Sequence, residues 1–479
     1  MKQENLIFTL SGIRGIAEKD FDFNIVKKIS IAYGSWLEST TNQVIVGRDT
    51  RPSSKFIEKA VIEGLIAVGL NITNVGVCPT PIIIHAKKSL NIPGGIIITG
   101  SHNPQQWNGL KLLSANTFLN NDDIKEISAK INKVDLNLYP STKHEVNQHT
   151  KNLNPIQNYI QDLTTYIDYE KIKKRNDLSV VIDTGAGAGK IATPQVLNKI
   201  GCKVKVINND LLVNDVFPRE IEPIEENLKD LIMEVWQGNH DIGFAHDSDA
   251  DRLAIIGESG IYYPEDIGLA LITDFYLKKF FNSDKEIIFI TNLASSLRFE
   301  VLAKKYNAEV IRTRVGERFL AEKMEILIKE ESIKSTNRLV FGGEGSCGGF
   351  MFPYFNNTRD GIFAAVKIVE ILVRSEKKIS DLIARLPKFY SQREKVNIEN
   401  KDTKQIIDLV KHELIEEGEH IIQYDLDLRF GKGMEWFVLI HPSNTEQVIR
   451  IISEAKRESL ARIYCEATAE LVRLVIKTI

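Results

Sequence analysis

The chain has 479 residues, 43% of them hydrophobic and 26% charged, and its 61 basic and 64 acidic side chains give a formal charge of -3. That composition excludes a disordered chain, and the near-neutral balance leaves no electrostatic footprint for a nucleic-acid backbone. At about 150 residues per domain, the length accommodates three or four domains.

In chain order, the apolar run at residues 44–46 predicts a buried strand. An amphipathic helix is expected over 55–68, with Phe56, Ile57, Ala60, Val61, Gly64 and Leu65 on one face. Residues 96–98, 180–182 and 287–290 predict further buried parallel strands. Strands alternating with helices predict βαβ units, with active-site loops at the strand ends. Breaks fall in the polar stretch 132–154, in the turn 257–263 ahead of Pro264, and in the charged stretch 374–380. A last helical run is expected over 443–479. Residues 96–101, 180–185 and 242–247 each run from an apolar strand into a loop of small polar residues. That echo reads equally as a repeated unit or as ordinary parallel sheet.

The four cysteines, Cys78, Cys202, Cys347 and Cys465, are far apart and form no CxxC pair, so neither a zinc site nor a disulfide framework is indicated. No run reaches the ~18 apolar residues of a membrane helix. The short apolar stretch ending at Leu10 falls short of a secretory signal. A cytoplasmic protein is expected.

Five motifs carry chemistry. Thr99-Gly100-Ser101-His102-Asn103-Pro104 presents a serine at the end of a strand, with His102 adjacent and Lys111 nine residues after His102. Alone it reads as a Ser/Asn/Pro turn, and without a Gly-x-Ser-x-Gly elbow the α/β-hydrolase reading fails. Asp247-Ser248-Asp249-Ala250-Asp251-Arg252 alternates three carboxylates, the density that a hard divalent cation wants. With Glu258 it mimics an EF-hand loop, but Arg252 stands where that loop needs glycine and the flanks are β-like. One Mg²⁺ shared with a phosphate oxygen fits better than the EF-hand; a solvated acidic turn is the bland alternative. The Gly185 to Lys190 run satisfies neither the Walker A nor the dinucleotide pattern, leaving a tight strand-to-helix turn. The Gly342 to Gly349 loop offers Glu344 and Ser346 to sugar hydroxyls, or is an ordinary glycine-rich loop. Pro442-Ser443-Asn444-Thr445-Glu446 reads as an anion site at a helix start or, more commonly, as a capping box.

Together and in this order, these stretches resemble the α-D-phosphohexomutase family of phosphoglucomutases, phosphomannomutases and phosphoglucosamine mutases. Ser11 to Gly15, Gly47 to Arg51 and Thr313 to Arg318 add to the match, and the motifs lie roughly a domain apart. The resemblance implies an α/β protein of four domains around a central cleft. They would span 1–150, 151–256, 257–372 and 373–479, the first three sharing a topology and the fourth a smaller α+β lid. It implies an intramolecular phosphotransferase that moves a phosphoryl group between the 1- and 6-positions of a hexose phosphate. Ser101 would carry the phosphoryl group, whose oxygen joins Asp247, Asp249 and Asp251 on Mg²⁺, and Arg252 would steady that loop. Lys111 is the expected general base, with His102 and Arg14 beside it. Arg318, Glu344, Ser346, His441, Ser443, Asn444, Thr445 and Arg450 would bind substrate, and a hexose 1,6-bisphosphate would act as activator. The expected partner is a small hexose phosphate, with no nucleic acid or membrane, in a monomer or homodimer.

Two departures stand out. His441 replaces the arginine that usually opens the phosphate loop, so a ring with one or two donors stands in for a bidentate cation, and phosphate binding is expected to weaken above neutral pH. Gly345-Ser346-Cys347-Gly348 matches neither the usual glucose nor the usual glucosamine version, so glucose, mannose and glucosamine stay open. Both departures also suit a non-catalytic sugar-phosphate-binding relative, against which the retained Ser101, Lys111 and three aspartates argue. A phosphoserine hydrolase is a third reading.

Overall fold

The computed structural model describes residues 7–9, 12–140, 146–175, 177–334, 337–345, 349–443 and 446–479. Four sheets account for its strands. In the first, Gln43–Arg48 lies between parallel neighbours Asn71–Val77 and Gly94–Ile98, and Trp107–Leu113 runs antiparallel beyond the latter. In the second, Ser179–Asp183 lies between Lys203–Ile207 and Ile242–Ala245, with Ala254–Gly257 antiparallel beyond. In the third, Glu286–Asn292 lies between Glu309–Thr313 and Arg338–Glu344, with Gly349–Met351 antiparallel beyond. The order is the same each time, so the repeat is real.

The repeat pairs different segments from those the sequence echo suggested. Residues 96–101 and 242–247 are equivalent, each closing the third strand of its unit, but 180–185 closes a first strand. The third partner is the end of Arg338–Glu344. All three site loops therefore join a third strand to its antiparallel fourth, at the carboxyl edge where parallel sheets place ligands.

The fourth sheet is wholly antiparallel: Tyr390–Asn397, Val448–Ala455, Trp436–Pro442, Asp427–Lys432 and Ile422–Tyr424. Helices Thr403–Glu416 and Glu458–Thr478 share its core, making the smaller α+β domain. The helix expected over 443–479 is thus a strand followed by a helix. Residues of Val448–Ala455 alternate between half-buried and buried over their first six positions, the two-residue period of a strand. Ser443 and Glu446 form the expected bond, Glu446 N–H to Ser443 Oγ at 3.2 Å, but within a turn between strands. Thr150–Asn152, which straddles the first expected division, pairs with the first sheet, and Tyr262–Tyr263, just past the second, pairs with the second sheet.

Local sequence explains the elements that frame the site. The run Gly94–Ile98 is buried throughout, as the β-branched Ile96–Ile98 stretch demands. Helix Ser54–Ile66 follows the serine-loop partner Arg51 and packs on helix Phe23–Leu37, which Asp22 caps by accepting from Ile25 N–H at 2.8 Å. Helix Gly361–Ser375 is buried over most of its surface, which requires apolar residues on all sides, and Asp360 caps it through Phe363 N–H. Among the described residues no helix is long and apolar enough to cross a membrane. Cys78, Cys202 and Cys465 are buried and form no disulfide among the described residues.

Candidate active site

Ser101 sits at φ 50°, a left-handed conformation that costs a non-glycine residue free energy unless its surroundings impose it. Arg51 imposes it. Its fully buried guanidinium donates through Nη2 to the carbonyls of Ser101 at 2.7 Å and Asn103 at 2.6 Å. Through Nη1 it donates to Pro104 at 2.8 Å and Trp107 at 3.0 Å. Asp49 holds Arg51 Nε at 3.1 Å and accepts from Thr99 Oγ1 at 2.8 Å, while Thr99 Oγ1 accepts from Ser101 N–H at 2.8 Å.

The metal loop docks on this frame from the second unit. Ser248 Oγ lies 3.0 Å from Asp49 Oδ2 and 2.8 Å from the Ser101 carbonyl. Beneath it lies the Gly185 to Lys190 turn, where Ala188 N–H donates to the Ser248 carbonyl at 2.8 Å. A Cβ on Gly187 would stand 2.9 Å from the Asp247 carbonyl, so the glycines seat the metal loop rather than a nucleotide. Ser101 Oγ then donates to Asp247 Oδ2 at 3.0 Å.

Asp247, Asp249 and Asp251 each offer an oxygen within 4.8 Å of the others, all buried. Asp249 Oδ2 is held by Thr80 Oγ1 at 2.6 Å and Lys111 Nζ at 2.7 Å. Asp251 Oδ2 is held by Lys111 Nζ at 3.0 Å and Arg359 Nη2 at 2.8 Å. The second oxygen of each, Asp249 Oδ1 and Asp251 Oδ1, is buried with no hydrogen-bond partner among the described residues. Buried carboxylate oxygens without partners are costly, and a pair of them beside a third carboxylate fits a hard divalent cation. Burial and the charges of Asp249 and Asp251 push the Asp247 carboxyl well above the usual carboxylate range. Asp251, although burial opposes its ionisation, is held below that range by Arg359, Lys111 and Arg252.

Lys111 lies between two of these carboxylates. Burial opposes its charge, but Asp249 and Asp251 outweigh burial and raise it above the ordinary lysine value. In this arrangement the two aspartates favour its protonated form. His102 is held neutral, first by the charge of Arg252 and then by burial. Its Nδ1 lies 2.9 Å from Arg252 Nη2; a guanidinium only donates, so Nδ1 accepts and the ring proton belongs on Nε2. Ser101 Oγ is 3.4 Å from the same Nδ1. Arg14 donates to Asn103 Oδ1, which brings it to the serine loop.

Glu344 joins the cluster from the third unit. Its Oε1 accepts from Asn292 Nδ2 and Gly316 N–H, both at 3.0 Å, and its Oε2 from Arg359 Nη1 at 3.1 Å. Arg318 does not join it: its guanidinium donates to the Leu119 carbonyl and Asn121 Oδ1, tying the third unit to the first. The fourth unit holds a separate group. His441 and Arg450 are paired neighbours on adjacent strands; His441 Nδ1 lies 2.6 Å from Asp427 Oδ1, and Arg450 Nη2 donates to Glu446 Oε2 at 2.7 Å. Ser346, Cys347, Asn444 and Thr445 lie outside the described residues.

Arg359 and Thr80 escaped the sequence reading, and Arg51 and Glu317 appeared there without a role of their own. A lone arginine in the polar run Asn356 to Asp360 carries no periodic or spacing signal. The one available hint was that run's position directly ahead of a continuous apolar helix.

Known proteins bear on this arrangement. Family models described as phosphoglucomutase/phosphomannomutase alpha/beta/alpha domains I, II and III match residues 5–138, 157–260 and 264–390. A phosphoglucomutase/phosphomannomutase of Thermococcus kodakarensis is 35% identical over 98% of this chain and 99% of its own. A probable phosphoglucosamine mutase of Pyrococcus horikoshii is 33% identical over 98% of each. Among solved structures, a phosphoglucomutase/phosphomannomutase family protein of Burkholderia thailandensis superposes with a TM-score of 0.80 at 21% identity, over 100% of this chain and 98% of that one. Fold and relatives define a mutase of hexose phosphates, an intramolecular phosphotransferase. The chain belongs to the phosphoglucomutase/phosphomannomutase family.

Proposed function

We propose that the protein interconverts hexose 1-phosphate and hexose 6-phosphate through a phosphorylated Ser101 and a bisphosphorylated sugar, in the cytoplasm. The observation that carries this reading is the Ser101 hydroxyl, fixed in a strained conformation 3.0 Å from the first of three clustered carboxylates.

Asp247, Asp249 and Asp251 would hold Mg²⁺, for which the two unpartnered oxygens argue. A magnesium ion there neutralises charge on the phosphoryl group in flight. In the forward transfer the bond from phosphorus to Ser101 Oγ breaks, a bond to the sugar hydroxyl oxygen forms, and the hydroxyl proton ends on Ser101 Oγ. Lys111, held protonated, supplies positive charge at the cluster, and the one proton that the sugar hydroxyl gives up is the one that Ser101 Oγ receives. Arg252 fixes the His102 ring, leaving its Nε2–H to donate, and Arg14 braces the serine loop through Asn103. Glu344 receives sugar hydroxyls, while His441, Ser443, Asn444, Thr445 and Arg450 hold the phosphate that is not reacting. The fourth domain would close over the sugar and exclude water. The bisphosphate turns over between the two transfers, and added hexose 1,6-bisphosphate primes Ser101.

The test is turnover of glucose 1-phosphate, mannose 1-phosphate and glucosamine 1-phosphate with Mg²⁺ and the matching bisphosphate. Activity on one of them, lost in Ser101→Ala, with phosphate on Ser101 by mass spectrometry, is expected and names the sugar. No turnover on all three, with Ser101 unmodified, would leave a sugar-phosphate-binding protein. Stoichiometric release of inorganic phosphate would make it a hydrolase.

A further inference from the structure

Arg359 touches both halves of the site. Its Nη2 lies 2.8 Å from Asp251 Oδ2 in the metal loop, and its Nη1 lies 3.1 Å from Glu344 Oε2 at the end of the sugar loop's strand. A third carboxylate, Glu317, accepts from its backbone N–H at 2.7 Å and lies 3.3 Å from Nε. All four side chains are buried, where a single charge acts at full strength on its neighbours. Among the described residues, the other donors to Glu344 are the neutral Asn292 amide and Gly316 N–H.

We propose that Arg359 is a positioning residue that couples the cation site to the sugar-recognition carboxylate, because one guanidinium is shared between Asp251 and Glu344. This rests on the assignment of the aspartate cluster to a divalent cation. A cation at Asp251 opposes the nearby positive charge and shifts it toward Glu344, which fixes that carboxylate for the sugar. Conversely, whatever removes Glu344 from Arg359 leaves more of the guanidinium charge to Asp251, with Glu317 still sharing it, and weakens the cation. Coupling of this kind is reciprocal. Arg359 need not touch either ligand for the effect to appear.

The sign separates this role from a merely structural one. Removing the guanidinium removes a competitor of the cation, so Arg359→Gln is expected to tighten Mg²⁺; loss of a structural prop would loosen it. Calorimetric titration of Mg²⁺ into wild type, Arg359→Gln, Glu344→Gln and the double variant closes a thermodynamic cycle. Expected are a ~3- to 10-fold tighter Mg²⁺ Kd in Arg359→Gln and a comparable weakening in Glu344→Gln, with the Glu344→Gln effect at least ~3-fold smaller when Arg359 is absent. A Glu344→Gln effect of equal size in both backgrounds, or weaker Mg²⁺ binding in Arg359→Gln, overturns the coupling. If Arg359→Gln does not yield folded protein, Arg359→Lys replaces it. One ammonium cannot span two carboxylates as a fork does, so the cycle is expected to shrink by the same factor, and an undiminished cycle overturns the coupling. Mg²⁺ binding with an additive cycle sinks the coupling alone. Failure of wild type to bind Mg²⁺ removes the cation site, and the coupling with it.

Discussion

Arg51 donates to the carbonyl of Ser101 at 2.7 Å, from a strand end that precedes the serine by 50 residues. One buried side chain thereby shapes the loop that presents the nucleophile. Arg51→Lys keeps the charge but replaces a rigid fork with a single ammonium, which cannot serve four carbonyls and Asp49 together. The expected cost is about 1–3 kcal/mol of stability and at least ~10-fold in kcat, with substrate KM changed far less. Urea unfolding and steady-state kinetics check both. An unchanged kcat with reduced stability would show that the serine loop holds its shape without the fork.

Asp247 carries a carboxyl raised above the ordinary range by burial and by two neighbouring carboxylates. An acid raised in the native state keeps a proton that the unfolded chain has released. Its contribution is therefore intact at low pH and is lost as pH rises above the ordinary carboxylate value of about 4 toward the raised native one. In chelator, Asp247→Asn removes this loss. The variant is expected to be at least about 1 kcal/mol more stable than wild type near neutral pH, to lose that advantage in acid, and to be inactive with Mg²⁺. Denaturant unfolding in chelator across the acid-to-neutral range tests it; a variant less stable than wild type at every pH would contradict the shift.

Gly361 opens the buried helix Gly361–Ser375 against the metal loop. A Cβ there would stand 2.3 Å from the Arg252 carbonyl and 2.9 Å from that of Ala250, both backbone atoms with little freedom to yield. Gly361→Ala is expected to push the loop away from the helix, costing about 1–3 kcal/mol by overpacking. Mg²⁺ affinity should fall with it, by ~10-fold for each 1.4 kcal/mol carried into the loop. Unfolding in chelator and calorimetry with Mg²⁺ separate the two parts. Wild-type Mg²⁺ affinity in this variant would mean that the loop moves with the helix.

His441 stands in place of a bidentate cation and faces Asp427 at 2.6 Å. His441→Arg supplies a fork that can hold Asp427 and a phosphate oxygen at once. Hexose phosphate KM is expected to fall ~3- to 10-fold with kcat nearly unchanged, the signature of added uniform binding. An unchanged KM would remove His441 from the phosphate site.

Much of the site was legible because it is written in short runs. The strand-then-polar-loop pattern marks Ser101 and Asp247 locally, and the carboxylate alternation from Asp247 to Asp251 needs no partner to be noticed. The repeat was visible but misaligned: residues 180–185 look like a site loop since every parallel strand ends in small polar residues, whatever its place in the sheet. The final stretch was misread as one helix because β-branched residues at 448–452 carry both periods, and only pairing with Tyr390–Asn397 and Trp436–Pro442 decides for a strand.

By itself, then, the sequence determined the α/β class, the apolar strands, the helix over Ser54–Ile66, and the presence of a serine loop and an acidic loop. Those properties depend on neighbours along the chain: periodicity, turn residues and charge density. The tertiary structure alone decided that Arg51 frames Ser101, that Lys111 sits between Asp249 and Asp251, and that Arg359 bridges Asp251 to Glu344. Each of these is a contact between residues far apart in the chain. Its chemistry comes from burial and from the charges brought to it, and no residue shows those until the chain has folded.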